Sequence, residues 1–146
     1  MSFYFADDAA TLVFKDRAQV ELGAPKDGPM AGILFYEDRA APPGRNFEIT
    51  SGSVRKLLGT IYLPRGTFKG EGKNLVTIVT NAVGGAAAAV GAGLPAIGEA
   101  SAYTVIVANR LELKGVNLVI NADYGGTDVP VPDGVGPNGS AVRLAN

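Results

Sequence analysis

A chain of 146 residues with 13 Lys and Arg against 14 Asp and Glu, net charge -1, can bury one core but offers no basic field for nucleic acid or an anionic membrane. The absence of Cys excludes thiol chemistry and disulfides, and the absence of His excludes serine-type triads and most transition-metal centres. With 47% hydrophobic residues, 20 Gly and 9 Pro, the composition fits short strands joined by tight turns and not a disordered chain.

The chain starts with a short strand over 2–5, and the acidic Asp7 and Asp8 follow without a basic region, so this is not a secretory leader. Strands are expected over 11–14 and 19–22, the latter alternating polar and apolar residues. A turn cluster over 23–29 leads into Gly32-Ile33-Leu34-Phe35-Tyr36, an apolar run too short for a helix and closed by Glu37-Asp38-Arg39. Gly32 at its start points to a close backbone approach or a bend. After a loop containing Pro42 and Pro43, residues 46–50 alternate again. A second core strand runs over 57–63 and ends at Pro64-Arg65-Gly66, with short strands over 67–69 and 75–79. A third core strand covers 103–108, followed by short strands over 111–113 and 117–121.

Two segments break this cadence. Residues 82–100 form an Ala/Gly-rich insertion, too short and too interrupted by Pro95 and Glu99 for a membrane span. This insertion is expected to be exposed or partly helical, or to cover one end of the strand stack. Residues 123–146 form a Pro/Gly-rich tail expected to run extended over the surface.

Frequent short strands and almost no helical periodicity predict a single all-β domain over 1–146. Core strands apolar on both faces favour a parallel, right-handed β-helix or solenoid, with a β-sandwich as the alternative. Asp7, Asp8, Asp123, Asp128 and Asp133 lack calcium-loop spacing and read as turn residues. Gly84-Gly85 and Gly91-Ala92-Gly93 lack the Lys-Ser/Thr of a phosphate loop. Tyr36, Tyr62, Tyr103 and Tyr124 offer either a sugar-stacking platform or half-buried members of a stack. No catalytic residue, metal ligand or cofactor site emerges. The candidate interaction residues are Glu37, Asp38, Arg39, Arg65 and Asp128; for the first three, the competing expectation is a charged strand end that keeps an edge soluble.

Leu22-Gly23-Ala24-Pro25, the stretch from Gly28-Pro29-Met30-Ala31-Gly32 to Glu37-Asp38-Arg39, Gly59-Thr60-Ile61-Tyr62-Leu63-Pro64-Arg65-Gly66 and Thr127-Asp128-Val129-Pro130-Val131-Pro132 occur in that order. Together they resemble the C-terminal, extracytoplasmic region of TadG-like (TadE/TadG) proteins of the Flp/Tad pilus systems of alphaproteobacteria, over most of the chain. The resemblance implies a non-catalytic accessory role in the cell envelope, with protein partners of a pilus or secretion apparatus. Self-association through solenoid ends is a further expectation; neither nucleic acid nor a small-molecule cofactor is expected. Such proteins carry an N-terminal membrane helix that this sequence lacks, so an envelope location implies a longer anchored protein. The Ala/Gly insertion departs from the family pattern, in which the corresponding link is short.

Overall fold

The computed structural model describes residues 1–7, 9–15, 18–50, 54–71, 97–98, 100–116, 118–133 and 135, and the backbone of 78–80. Its strands are β1 (Phe3–Phe5), β2 (Leu12–Phe14), β3 (Val20–Gly23), β4 (Ile33–Glu37), β5 (Asn46–Ile49), β6 (Val54–Glu71), β7 (Ile78–Thr80), β8 (Thr104–Lys114) and β9 (Leu118–Ile120). The described residues contain no helix, and none could cross a membrane as one. The chain is all-β, and every pairing between these strands is parallel. Among the described strands the pairing is thus not that of the antiparallel sheets of a β-sandwich.

The parallel sheet of seven strands curls around β6, which pairs with β3, β4, β5 and β8. Successive stretches of β6 serve different neighbours. Leu57 lies beside Leu22 of β3, Ile61 beside Phe35 of β4, and Phe68 beside Phe47 of β5. The pairings build two long rows, Phe3–Phe35–Ile61–Ile106 and Leu12–Phe47–Phe68–Leu111. A third row joins β3 to the start of β6, which receives the Gly98 and Ala100 amides on the Val54 and Arg55 carbonyls. Ile97 in turn bridges Leu118 of β9.

The sequence reading separates strands over 57–63 and 67–69, yet β6 runs through both. Its register shifts between Leu63 and Thr67, so Pro64 falls where no ladder bond is required of its missing N–H. β8 likewise spans the two segments expected over 103–108 and 111–113. At Gly59, between the residues of β6 that pair with β3 and those that pair with β4, φ is 126° and a Cβ would lie 2.6 Å from the Ala24 Cβ. Only glycine fits there.

Buried side chains fill the core, and in β4 and β6 consecutive residues are buried, as Leu34 with Phe35 and Leu57 through Ile61. Leu34, Phe35, Phe47, Ile61, Leu63 and Phe68 are all buried. Phe3 of β1 lies edge-on to Phe35 of the paired β4 at 5.6 Å, and Phe5 of β1 lies 4.9 Å from Phe47 of β5, joining two strands that do not pair. Each such side chain contributes about 1.5–3 kcal/mol by burial.

The expectations for the two irregular segments change in detail. Most of 82–100 lies outside the described residues, but Ile97 is fully buried, and its bridge with Leu118 makes it part of the core and not of an exposed insertion. The tail does not simply run over the surface. Val129 is buried in the core cluster, Tyr103 donates its hydroxyl to the Pro130 carbonyl at 2.6 Å, and Lys26 pairs with Asp128. Gly32 makes this docking possible: its φ is 75°, and a Cβ there would collide with the Pro130 carbonyl. Substituting Gly32→Ala should destabilise the fold by about 1–3 kcal/mol in urea unfolding and expose the tail to proteolysis. Unchanged stability and cleavage would show that the tail does not depend on this contact.

Candidate binding face

On the first row the outward positions align Tyr4, Tyr36, Tyr62 and Val107 on adjacent strands. The placement follows from alternation, since each tyrosine succeeds an inward apolar residue (Phe3, Phe35, Ile61) in the same register. Tyr4 and Tyr36 lie 5.6 Å apart, and Tyr36 and Tyr62 stack at 5.4 Å with an interplanar angle of 22°. Tyr4 is 56% exposed and Val107 37%.

Asp38 and Arg39, just after β4, hold the two ends of this tyrosine strip. The Tyr4 hydroxyl donates to Asp38 Oδ2 at 2.6 Å, while the Ala40 amide donates to Asp38 Oδ1 at 2.8 Å. Arg39 Nε donates to the Tyr62 hydroxyl at 2.9 Å, and its guanidinium sits 5.5 Å from that ring centroid. The hydrogen bond with Asp38 raises the Tyr4 pKa, and the same bond, with help from the Ala40 amide, lowers that of Asp38. Because the folded value of Asp38 is depressed, its contribution is present above the unfolded carboxylate pKa and is lost as pH falls through the folded one.

The candidate residues do not form one cluster. Asp38 and Arg39 share the tyrosine strip, whereas Glu37 points the other way. Its side chain is fully buried and accepts from Arg45 Nε at 3.0 Å, Arg45 Nη2 at 2.7 Å, and the Arg65 and Gly66 amides, each at 2.8 Å. Glu37 therefore holds the interior and presents no carboxylate to a partner. Arg65 is exposed and donates Nε to the Ala41 carbonyl at 3.2 Å. Asp128 lies on the tail, where its hydrogen bond with Lys26 lowers its pKa.

Tyr103 and Tyr124 lie apart from the strip, 5.3 Å from one another, and Tyr103 is buried. Burial, and then the electrostatic effect of the neighbouring Tyr124 phenol, raises the pKa of Tyr103. The Tyr36–Tyr62 stack turns ring faces toward each other, which favours the reading of stacked tyrosines over a flat sugar platform. The sequence reading overlooks Tyr4, although the repeated apolar-Tyr pair of Phe3-Tyr4, Phe35-Tyr36 and Ile61-Tyr62 carries the signal.

The outward positions of the second row carry charge instead. Glu48, Lys69 and Glu112 are successive neighbours across the strands, with Lys69 Nζ 3.7 Å from Glu112. Lys114 and Glu71 pair at 3.4 Å beside them, and Arg110 and Glu112 at 2.8 Å. Opposite charges on neighbouring strands support the sheet weakly. Among the described residues no group of three or more acidic side chains is placed to hold a metal ion. Asp7 instead accepts the Ala9 and Ala10 amides, and Asp8 lies outside the described residues.

No family model matches the chain, and neither the curated proteins nor the solved structures include a match.

Two measurements test these assignments. Tyr4→Phe should raise the Asp38 pKa toward the ordinary carboxylate value in a carboxyl NMR titration; an unmoved Asp38 would discount the hydrogen bond. Glu37→Gln leaves the Arg45 charge buried without its counter-ion and should cost about 3–5 kcal/mol in urea unfolding. Replacing both partners with Met should recover only part of that loss, because it removes both buried charges but leaves the Arg65 and Gly66 amides without their acceptor.

Proposed function

We propose that the chain is a parallel β-solenoid serving as a non-catalytic accessory protein of an Flp/Tad-type pilus, on the extracytoplasmic side of the cell envelope. Three consecutive stretches of β6 each stack on a different earlier strand, which is how successive coils of a solenoid pair. The family assignment rests on the ordered motifs of the TadG-like C-terminal region.

The observation that carries a binding role is the strip of Tyr4, Tyr36 and Tyr62 held by Asp38 and Arg39. Tyrosine supplies contact area at low entropic cost, and both tyrosine and arginine are enriched where proteins meet. Here neighbouring rings and hydrogen bonds hold the side chains before any partner arrives, reducing the ordering cost of association. The partner is a protein of the pilus or secretion apparatus.

The test is to offer immobilised chain, wild type or carrying Tyr36→Ser with Arg39→Ala, to solubilised envelope proteins of a cell that builds such a pilus. Wild type should retain a pilus-assembly protein identified by mass spectrometry, and the double variant should bind it at least about tenfold more weakly. Equal retention by both would remove the strip from the interface. Oligosaccharide binding that is lost in the variant would favour the alternative reading, a carbohydrate-binding or carbohydrate-cleaving β-helix.

A further inference from the structure

The tyrosine strip has a repeat as well as a composition. Its rings step from strand to strand by 5.6 Å between Tyr4 and Tyr36 and by 5.4 Å between Tyr36 and Tyr62. Val107, beside Tyr62 on β8, takes the next position in the same column. The column crosses the strands, so a partner lying along it meets one side chain per strand. An α-helix advances about 5.4 Å per turn and presents residues of one face at each turn. An extended strand sets its same-face residues about 6.7 Å apart, and a polyproline helix repeats every three residues at about 9.3 Å. Over two steps of the tyrosine column only the α-helix stays in register.

The charges beside the strip are ordered along it in the same direction. Asp38 accepts from Tyr4 at one end, and Arg39 donates to Tyr62 at the other. Arg65, close behind Tyr62 in β6, adds a second exposed cation there. Both guanidiniums use Nε on neutral oxygens, the Tyr62 hydroxyl and the Ala41 carbonyl, and neither has a carboxylate partner among the described residues. Their terminal N–H groups are left to donate elsewhere. A helix offers a matching polarity: free N–H groups and a positive dipole end at its N-terminus, free carbonyls and a negative end at its C-terminus.

From this match of repeat and polarity we infer that the strip receives a short α-helix of a partner protein, laid along the column with its N-terminus at Asp38 and its C-terminus at Arg39 and Arg65. One apolar residue per turn then covers Tyr4, Tyr36 and Tyr62 in succession. This geometry rests on the binding role proposed above and adds the form and direction of what binds.

The chain has no Trp, so a Trp in a probe peptide reports contact alone. The probe is a stapled helix of about 11 residues, three turns, with one apolar side chain per turn and Trp as the central one. Its ends are acetylated and amidated, so that only the dipole distinguishes them. Titration of the full chain should give a saturable shift of Trp emission. Tyr36→Ser should weaken binding at least about tenfold, and Arg39→Ala about two- to fivefold. An unstapled peptide of the same side chains broken by a central Pro should bind at least about tenfold more weakly. A nitroxide on the first residue of the probe should broaden the Tyr4 ring signals, and one on the last residue the Val107 methyl signals.

Equal binding by the broken peptide, no saturation at millimolar concentration, or a nitroxide on the first residue that broadens Val107 and spares Tyr4 would overturn the inference. In each case retention of a pilus protein through the strip would leave the binding role standing. A helical probe that binds the strip where no pilus protein is retained would instead remove the pilus reading alone.

Discussion

The carboxylate of Glu37 lies at the inner corner where successive turns of the chain meet. It takes the Arg45 guanidinium from its own turn and the Arg65 and Gly66 amides from the turn within β6. Arg45 Nη1 then donates to the Asp7 and Ala10 carbonyls of the turn between β1 and β2. One ion pair thus ties together consecutive corners of the stack. Removing both charges from water costs several kcal/mol, and the attraction with these extra hydrogen bonds offsets that cost. The result is a fixed register: a sheet slipped by one residue would strand the carboxylate without its donors.

Local geometry adapts to that corner. A Cβ at Gly66 would lie 2.5 Å from the Phe47 ring and 3.1 Å from Glu37 Oε1, so a larger residue would push the amide away from its acceptor. The register shift between Leu63 and Thr67 falls in the same place, where Pro64 has no N–H to give. The bend in β6, the buried carboxylate and the packed phenylalanines are therefore one construction. The Glu37-Asp38-Arg39 run sends its first residue into this interior and the next two to the surface, so three adjacent charges do different work.

With the rows held in register, equivalent side chains repeat at strand spacing on each outer surface. The first row repeats tyrosine and the second repeats charges of alternating sign. A tyrosine strip braced by Asp38 and Arg39 concentrates contact area, whereas the paired charges of the second row remain hydrated and contribute little to recognition. The same repetition leaves apolar side chains partly open on β1, β2 and β8, where no further strand continues the two long rows among the described residues.

The sequence by itself determined the all-β class and most strand positions, because short apolar runs closed by Gly, Pro and charges admit little else. It also marked Gly32 as a close approach, and the Pro130 carbonyl now occupies the space a side chain would need. The role of Glu37 was not legible: beside Asp38 and Arg39 it looks like a solvated strand end, and its partners at 45, 65 and 66 meet it only when the chain turns back on itself. Nor could local pattern join the two halves of β6, since Pro64 reads as a stop unless a register shift removes the need for its hydrogen bond. Tyr4, Tyr36 and Tyr62 are far apart along the chain, and parallel pairing alone makes them one surface. Alternation is a property of consecutive residues and can be read in order; register, burial of a charge and the union of distant side chains depend on which strands become neighbours, and only the tertiary structure decided that.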